Sequence, residues 1–348
     1  MAGEQRIGYV RLGEVSVAYS TMGEGPPLVL PPPMFGHLVA ELENPAIRAF
    51  FEALASRYTL VRYDRLGTGM SDRSLRLEAR TLQFEVDVLE ALVRELGLGR
   101  PTLVGIEYGG TVAAGFAARK PESVNQLVLF GPSPVGGRFP TPLLGSVSGV
   151  LQADWALGAR LLTQAWFPDA DRELTDWMAQ LAALSCTGEM AASLIELYEG
   201  TDLRGELGRI TAPTLVVQAR DDPVVPVESA RLFAMLIPRA RFELLDGRWH
   251  QPWLGDTTAA LDLIGQFLGR ALPPPTRFAE PPEPALALTS REREVLQLVA
   301  QGLSDAAIAQ RLVVSAHTVH RHVANIRNRL GQPSRGAAAV VAARAGLI

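Results

Sequence analysis

Residues 102–118 read TLVGIEYGGTVAAGFAA, and this stretch decides the fold of most of the chain. An apolar run is followed by Gly105, Glu107 and Gly109, and then by small residues that suit a closely packed helix. Glycines two positions before and after a central residue permit a sharp turn that directs the central side chain into a pocket. The amides that follow can bind an anion at the helix N-terminus. The stretch therefore predicts a strand, a tight turn centred on Glu107, and a helix.

Similar apolar runs recur on both sides of this turn and alternate with helical segments. They lie at residues 28–30, 60–63, 126–130, 215–217 and 242–245. This alternation predicts an α/β fold, a doubly wound and mostly parallel sheet with helices on both faces. A helix-rich stretch at about 132–208 interrupts the pattern and predicts an inserted lid.

A proline-rich segment, residues 270–285, divides the chain. It contains Pro273, Pro274, Pro275, Pro281, Pro282 and Pro284. This density excludes a helix or a central strand and favours an extended linker. The sequence therefore predicts a large domain at 1–269 and a small all-α domain at 286–348.

The two parts carry opposite charge. Residues 284–348 hold eight arginines and three acidic residues, a net charge of +5, which leaves −9 for the remainder of a chain whose net charge is −4. Such a division favours a small module that meets a polyanion, attached to a larger body that does not.

The composition excludes several other classes of protein. With 47% hydrophobic and 20% charged residues among 348, the chain is neither disordered nor fibrous. Cys186 is the single cysteine, and the five histidines have no metal-ligand spacing, so we expect no disulfide, metal or cofactor. No apolar stretch is long enough to span a membrane, and the first residues lack the pattern of a signal peptide. We expect a cytoplasmic protein without membrane contact.

Three further motifs accompany the turn at Glu107. Residues 63–72 read YDRLGTGMSD, residues 220–226 read RDDPVVP after a predicted strand, and residues 249–252 read WHQP. Together these motifs resemble the α/β-hydrolase superfamily over residues 7–269. The resemblance implies a catalytic triad in the order nucleophile, acid and histidine, at Glu107, Asp222 and His250. Glu107 stands where the superfamily's G-x-S-x-G turn has a nucleophilic serine.

The replacement at position 107 leaves three interpretations of the site. A glutamate has no proton to surrender at neutral pH and repels an oxyanion, so the serine mechanism is excluded. Glu107 can act as a carboxylate nucleophile, as Asp does in epoxide hydrolases and haloalkane dehalogenases of the superfamily. It can instead belong to a pocket that is no longer catalytic, where it pairs with His250 or binds a ligand. Finally, it can be tolerated in a collapsed site.

The residues around these positions supply the candidate ligand site. Residues 31–37 read PPPMFGH where the family often has an oxyanion-hole amide, and three prolines remove three amide donors. The candidate ligand-binding residues are Phe35, His37, Glu107, Tyr108, Trp249 and His250. His37 can equally be structural, and Trp249 and Trp253, which flank His250, can equally belong to the core.

The small domain shows the pattern of three short helices. Thr289 and Glu292 form a capping box, and Gly302 ends the first helix. Ser304 caps a second helix that ends at Leu312, and Ser315 caps a third that begins at Ala316. A short helix, a tight turn and a longer helix predict a helix-turn-helix.

The third helix has an apolar stripe and a polar face. The stripe consists of Val319, Val323, Ile326 and Leu330. The candidate DNA-binding residues on the other faces are His317, Thr318, His320, Arg321, Ala324, Asn325 and Arg327. A basic helix can be a solvated face, but the arginines and histidines beside a capped helix-turn-helix favour contact with DNA.

The small domain resembles the LuxR/GerE family of transcription factors, whose motifs match LTSREREVL at 288–296 and SAHTVHRHVANI at 315–326. The resemblance implies that residues 318, 320, 321 and 324 approach DNA. His320 and Ala324 stand where the family often has Lys. A last helix at 335–345 is by resemblance a dimer contact, or else a fourth core helix.

These inferences favour a one-component transcription regulator. A hydrolase-like domain without catalysis would sense a small-molecule effector, and the small domain would bind promoter DNA as a homodimer. The alternatives are a DNA-tethered hydrolase that uses Glu107 as nucleophile, and a scaffold whose large domain binds a protein.

Overall fold

The chain forms two compact units, residues 1–276 and 277–348, in a computed structural model. The structure describes residues 4–73, 80–136, 149–168, 170–275, 290–300 and 303–329, together with Ala338 and Ala342. Of the predicted linker, residues 276–285 lie outside this described part.

An eight-stranded sheet forms the centre of the first unit. Its strands are β1 (Arg6–Leu12), β2 (Val15–Met22), β3 (Pro27–Leu30), β4 (Thr59–Tyr63), β5 (Thr102–Ile106), β6 (Leu127–Phe130), β7 (Thr214–Ala219) and β8 (Ala240–Leu245). The order is β1-β2-β4-β3-β5-β6-β7-β8. Strand β2 pairs antiparallel with β1 and β4, and the remaining pairs are parallel. The predicted α/β fold with a mostly parallel sheet is confirmed.

Helices cover both faces of this sheet. They are α1 (Pro45–Ala55), α2 (Leu82–Glu95), α3 (Tyr108–Arg119), α4 (Trp155–Trp166), α5 (Arg172–Ser185), α6 (Gly188–Glu199), α7 (Val227–Met235) and α8 (Thr257–Leu268). Short 3-10 helices lie at Ala40–Glu43, Pro121–Ser123 and Leu207–Arg209. Residues of α1 and α8 share one buried cluster, and residues of α2, α3 and α7 share the other.

Alternation along the strands assigns side chains to these two clusters. Val29 and Leu103 pack on the side of α2 and α3, whereas Leu28 and Val104 pack on the side of α1 and α8. All four are buried. A strand that is covered on both faces is apolar at every position, which explains the continuous apolar runs in the sequence.

Helices α4 to α6 occupy the region of the predicted lid, of which residues 137–148 and 169 lie outside the described part. Each begins at a side-chain cap, Asp154, Asp171 or Thr187, which accepts a hydrogen bond from a backbone amide of the first turn. Helices α4 and α5 pack on each other.

The second unit contains α9 (Ser290–Ala300), α10 (Asp305–Leu312) and α11 (Ala316–Arg329). Ser304 caps α10 and Ser315 caps α11, as predicted. Val319, Val323 and Ile326 of α11 are buried in a common core with α9 and α10. The predicted Thr289 cap, Gly302, Leu330 and most of the last helix lie outside the described residues, although Ala338 and Ala342 are buried in this core.

Candidate functional site

Glu107 lies in a sharp turn between β5 and α3. Its backbone φ is 53° and ψ is −128°. This conformation is unfavourable in free energy for any residue other than glycine. A Cβ at Gly105 would lie 2.4 Å from Cα of Gly110, and a Cβ at Gly109 would lie 2.4 Å from the carbonyl oxygen of Pro31. The glycines are therefore required by close approach of the backbone, and the nucleophile elbow is present with a glutamate at its centre.

His250 and Asp222 form a close pair after strands β8 and β7. Nδ1 of His250 lies 2.6 Å from Oδ2 of Asp222, and both side chains are buried. The other oxygen of Asp222 accepts hydrogen bonds from the backbone amides of Val224 and Val225. These contacts fix the orientation of the imidazole, as an acid and a histidine are fixed in a catalytic triad.

The charges of this pair shift both pKa values. Burial by itself lowers the pKa of His250, but attraction to Asp222, their hydrogen bond and a smaller effect of Glu107 hold it above its ordinary value. Burial by itself raises the pKa of Asp222, and the nearby imidazole together with the hydrogen bonds holds it below its ordinary value. The pair therefore favours an imidazolium beside a carboxylate.

Glu107 does not pair with His250 within the described residues. Its Oε1 instead accepts a hydrogen bond from Nε2 of Gln251 at 2.5 Å. The side-chain oxygen of Gln251 accepts a hydrogen bond from Nε1 of Trp253 at 2.8 Å, which orients the amide toward Glu107. Two contacts were expected for a Glu107 that is no longer catalytic, an ion pair with His250 or a hydrogen bond to a ligand. The described residues show no such ion pair, and Gln251 is the partner of the carboxylate.

The proline-rich loop after β3 is held by a buried guanidinium. Arg65 donates hydrogen bonds to the carbonyl oxygens of Pro32, Pro33 and Met34, at 3.0 to 3.3 Å. It also pairs with Glu85 at 2.9 Å. The loop is thus fixed beside the elbow, with proline at three successive positions that have no N–H to offer an oxyanion.

Glu107 lines two small cavities. The first has apolar and aromatic walls and also contains Glu41 and Gln251; its main walls are Phe35, Ile47, Leu162, Trp166, Leu181 and Trp253. The second is lined by Met34, Glu107, Tyr108, Trp166, Tyr198, Val224 and His250. Their free volumes are about 30 Å³ and about 20 Å³, room for a few water molecules. Helices α4 and α5 thus close tightly over the elbow.

The six candidate ligand residues do not all lie at these cavities. Glu107 lines both, Phe35 lines the first, and Tyr108 and His250 line the second. Nδ1 of His37 instead accepts hydrogen bonds from the amides of Val39 and Ala40, where the 3-10 helix Ala40–Glu43 begins.

Trp249 also lies elsewhere, in a separate surface crevice beside Gly247 and Asp256. Trp253, not Trp249, reaches the first cavity and contacts Phe50 and Phe51.

The sequence alone indicated no role in the candidate ligand site for Gln251, Glu41 or Trp166. Gln251 was visible in the WHQP motif, but nothing in the motif indicates that its amide turns toward Glu107. Trp166 ends α4 and stacks on Phe35 with ring centroids 5.6 Å apart. Glu41 is buried and forms an ion pair with Arg62. Burial raises the pKa of Glu41, although Arg62 opposes this effect.

The candidate DNA-binding side chains lie on α11 of the second unit. Arg321, Asn325 and His320 are exposed, and Thr318, Ala324 and Arg327 are half-buried. The hydroxyl of Thr318 lies 2.8 Å from that of Ser315, and the imidazole of His320 lies 3.6 Å from Asp305. The side chain of His317 lies outside the described part. The helix thus presents a basic residue, Arg321, together with polar groups that suit phosphates and base edges.

An elbow at the carboxyl end of β5, an acid after β7 and a histidine after β8 define a protein of the α/β-hydrolase fold. The chain belongs to the α/β hydrolase family, whose family model matches residues 28–261, and residues 286–342 match the model of bacterial regulatory proteins of the luxR family. The helix-turn-helix makes the chain a DNA-binding regulator. The described residues include no helix long and apolar enough to cross a membrane.

The proteins similar to the large unit include hydrolases. The chain is 28% identical to the pimeloyl-acyl-carrier-protein methyl ester esterase of Aeromonas hydrophila, over 73% of this chain and 100% of that one. It is 27% identical to the 2-hydroxymuconate semialdehyde hydrolase of Pseudomonas putida, over 72% and 89%. A bromoperoxidase from Bacillus anthracis has the same fold, with a TM-score of 0.65, 21% identity, and coverage of 76% of this chain and 100% of that one.

Proposed function

We propose that the hydrolase-like unit is a receptor for a small, largely apolar molecule and that its occupancy controls promoter binding by the helix-turn-helix domain. The observation that carries this proposal is the carboxylate of Glu107 at the nucleophile position, hydrogen-bonded to Gln251. A carboxylate cannot surrender a proton to His250, and it repels the oxyanion of acyl transfer. A regulator gains from such a site because it binds its signal without destroying it.

The packing of α4 and α5 over the first cavity supports a link between ligand binding and a change in the conformation of the lid. With about 30 Å³ of free space, the first cavity admits a ligand of more than a few atoms only when α4 and α5 move apart. A ligand that favours the opened lid shifts the population of that state. We propose that this shift changes the affinity for DNA, and that the chain binds promoter DNA as a homodimer.

A second candidate function is a hydrolase that uses Glu107 as a carboxylate nucleophile. The 2.6 Å pair between His250 and Asp222 favours it, because such an enzyme needs a histidine to activate water. Against it, the side chain of Glu is one methylene longer than the Asp that epoxide hydrolases and haloalkane dehalogenases of the superfamily use. A misplacement of about 1 Å can reduce a rate roughly a hundredfold.

The receptor proposal is tested by DNA binding in the presence of small molecules. A DNA fragment selected by the full-length chain from a random library is used in gel shifts, at constant salt, with a library of small apolar compounds. We expect at least one compound to change the affinity for DNA. Ala159 lies on α4 and lines the first cavity, so Ala159→Phe places a ring in the space that the ligand would occupy. It should abolish the response while DNA binding remains.

The matched control is Ala156→Phe, an exposed position on the same helix, which should respond like the unmodified protein. The receptor proposal is wrong if no compound changes the affinity, or if Ala159→Phe responds as well as Ala156→Phe.

A further inference from the structure

One carboxylate at the two cavities that Glu107 lines has no ion-pair partner among the described residues. Three carboxyl or imidazole side chains line these cavities: Glu41, Glu107 and His250. Glu41 forms a buried ion pair with Arg62, and His250 pairs with Asp222. Among the ion pairs of the described residues, none includes Glu107, and its hydrogen-bond partner is a neutral amide. The site therefore contains one more carboxylate than it contains cations.

Glu107 is the residue before the first turn of α3, and the partner of its side chain is neutral. The amide of Gln251 donates a hydrogen bond to the carboxylate and brings no positive charge to it. Carboxylate ligands are therefore repelled, and a ligand with a positive charge is attracted.

The walls of the first cavity suit the same charge. Phe35, Trp166 and Trp253 line it together with Glu107, and Phe35 stacks on Trp166. Aromatic faces attract ammonium groups, most strongly where water is excluded. Aliphatic side chains, among them Ile47 and Leu162, form further walls and favour an apolar body attached to the charged group.

We propose that the effector is an apolar organic cation whose charged nitrogen binds Glu107 and whose apolar part lies between the aromatic walls and the lid. This inference rests on the receptor proposed above and adds the chemical class of its ligand. Glu107 stands where the superfamily has its nucleophile, and its negative charge would pair with the positive charge of the effector.

The test compares three probes with the same six-carbon chain, namely hexylammonium, 1-hexanol and hexanoate. Binding to the full-length protein at pH 7 is measured by calorimetry and by tryptophan fluorescence, since Trp166 and Trp253 line the cavity. We expect hexylammonium to bind at least about tenfold more tightly than 1-hexanol, because a charged hydrogen bond and ring contacts add to burial of the chain. Hexanoate should bind most weakly.

Glu107→Gln removes the charge and keeps the shape of the side chain. We expect its preference for hexylammonium over hexanol to fall to about one, with hexanol binding unchanged, which also shows that the variant is folded. The matched control is Glu228→Gln, which removes an exposed charge on α7 and should retain the preference.

The outcomes distinguish an error in the class of ligand from an error in the proposal of a receptor. If hexanol binds but hexylammonium binds no better, or if Glu107→Gln keeps the preference, the assignment of a cationic effector is wrong and the receptor remains. If none of the three probes binds at millimolar concentration, the cavity is not a ligand site and both proposals are wrong.

Discussion

Gln251 donates a hydrogen bond to the carboxylate of Glu107, while the neighbouring residue, His250, turns its imidazole toward Asp222. Two adjacent side chains of one loop thus serve two different partners. The histidine keeps the contact that a hydrolase needs, and the glutamine satisfies the residue that stands in place of the nucleophile. The site keeps the geometry of catalysis around a side chain that the serine mechanism cannot use.

Purified protein should not turn over aryl esters. Glu107→Ser should recover only slow hydrolysis, because Pro33 beside the elbow has no amide proton. One missing oxyanion donor costs about a hundredfold to a thousandfold in rate. Restoring an N–H with Pro33→Ala in the Glu107→Ser background should therefore increase the rate about tenfold or more.

The same assay with epoxides and haloalkanes distinguishes the receptor from the hydrolase. We expect the unmodified protein to turn over neither class of substrate. Turnover by the unmodified protein that is lost in His250→Gln would instead identify Glu107 as a nucleophile and the protein as an enzyme.

The pair of His250 and Asp222 should give the large unit a pH-dependent stability. Because the pKa of His250 is raised, the pair stabilises the folded state fully below pH 6.5, the ordinary pKa of histidine. This stabilisation decreases as the pH rises through the raised pKa of His250. The lowered pKa of Asp222 means that the stabilisation also falls as pH drops below its ordinary value of 3.8. Asp222→Asn should therefore be most destabilising between these two values.

Urea unfolding followed by tryptophan fluorescence measures this effect, because all five tryptophans lie within residues 1–276. The difference in unfolding free energy between the unmodified protein and Asp222→Asn should decrease from pH 6 to pH 9. A difference that is constant over this range would contradict the assigned charge pair.

The elbow should not tolerate a side chain at Gly109. An added Cβ would lie 2.4 Å from the carbonyl oxygen of Pro31, so the backbone must shift. We expect Gly109→Ala to lower the free energy of unfolding by about 2 kcal/mol or more. Gly205→Ala is the control, because its Cβ would meet no atom within 4 Å, and it should stay within about 0.5 kcal/mol of the unmodified protein.

Arg321→Ala should abolish specific binding to DNA and leave the fold intact. Arg321 is exposed on α11, so its removal opens no cavity and deletes a positive charge from the candidate DNA face. Gel shifts and circular dichroism measure the two effects. Arg94→Ala, which removes an exposed arginine of the large unit, should bind DNA normally. Normal DNA affinity of Arg321→Ala would refute the assignment of α11 as the DNA-contacting helix.

The fold of the large unit was predictable because its central strands are covered on both faces. Runs such as 28–30 and 215–217 are apolar throughout and lie within strands β3 and β7. Strands β1 and β2 were not predicted. Strand β1 is at the edge of the sheet, where exposed Ile7 and Tyr9 alternate with other residues. Serine and threonine interrupt the apolar residues of β2.

The candidate site was predictable in its backbone and less so in its side chains. The spacing around Glu107 predicted the turn, because only glycine permits the close approach at positions 105 and 109. Which tryptophan beside His250 reaches the cavity was not predictable. The loop between β8 and α8 directs Trp253 inward and Trp249 into a surface crevice, and no local pattern distinguishes them.

The strained backbone at Glu107 has a consequence for how such regulators diversify. The conformation costs about 1 to 3 kcal/mol, and the sheet and the neighbouring glycines maintain it whatever side chain residue 107 carries. One codon therefore sets the chemical group at the centre of the cavity without disturbing the scaffold. In the receptor proposed above, changes at position 107 and in the lid would alter which molecule is bound, while an unchanged helix-turn-helix domain would bind the same DNA.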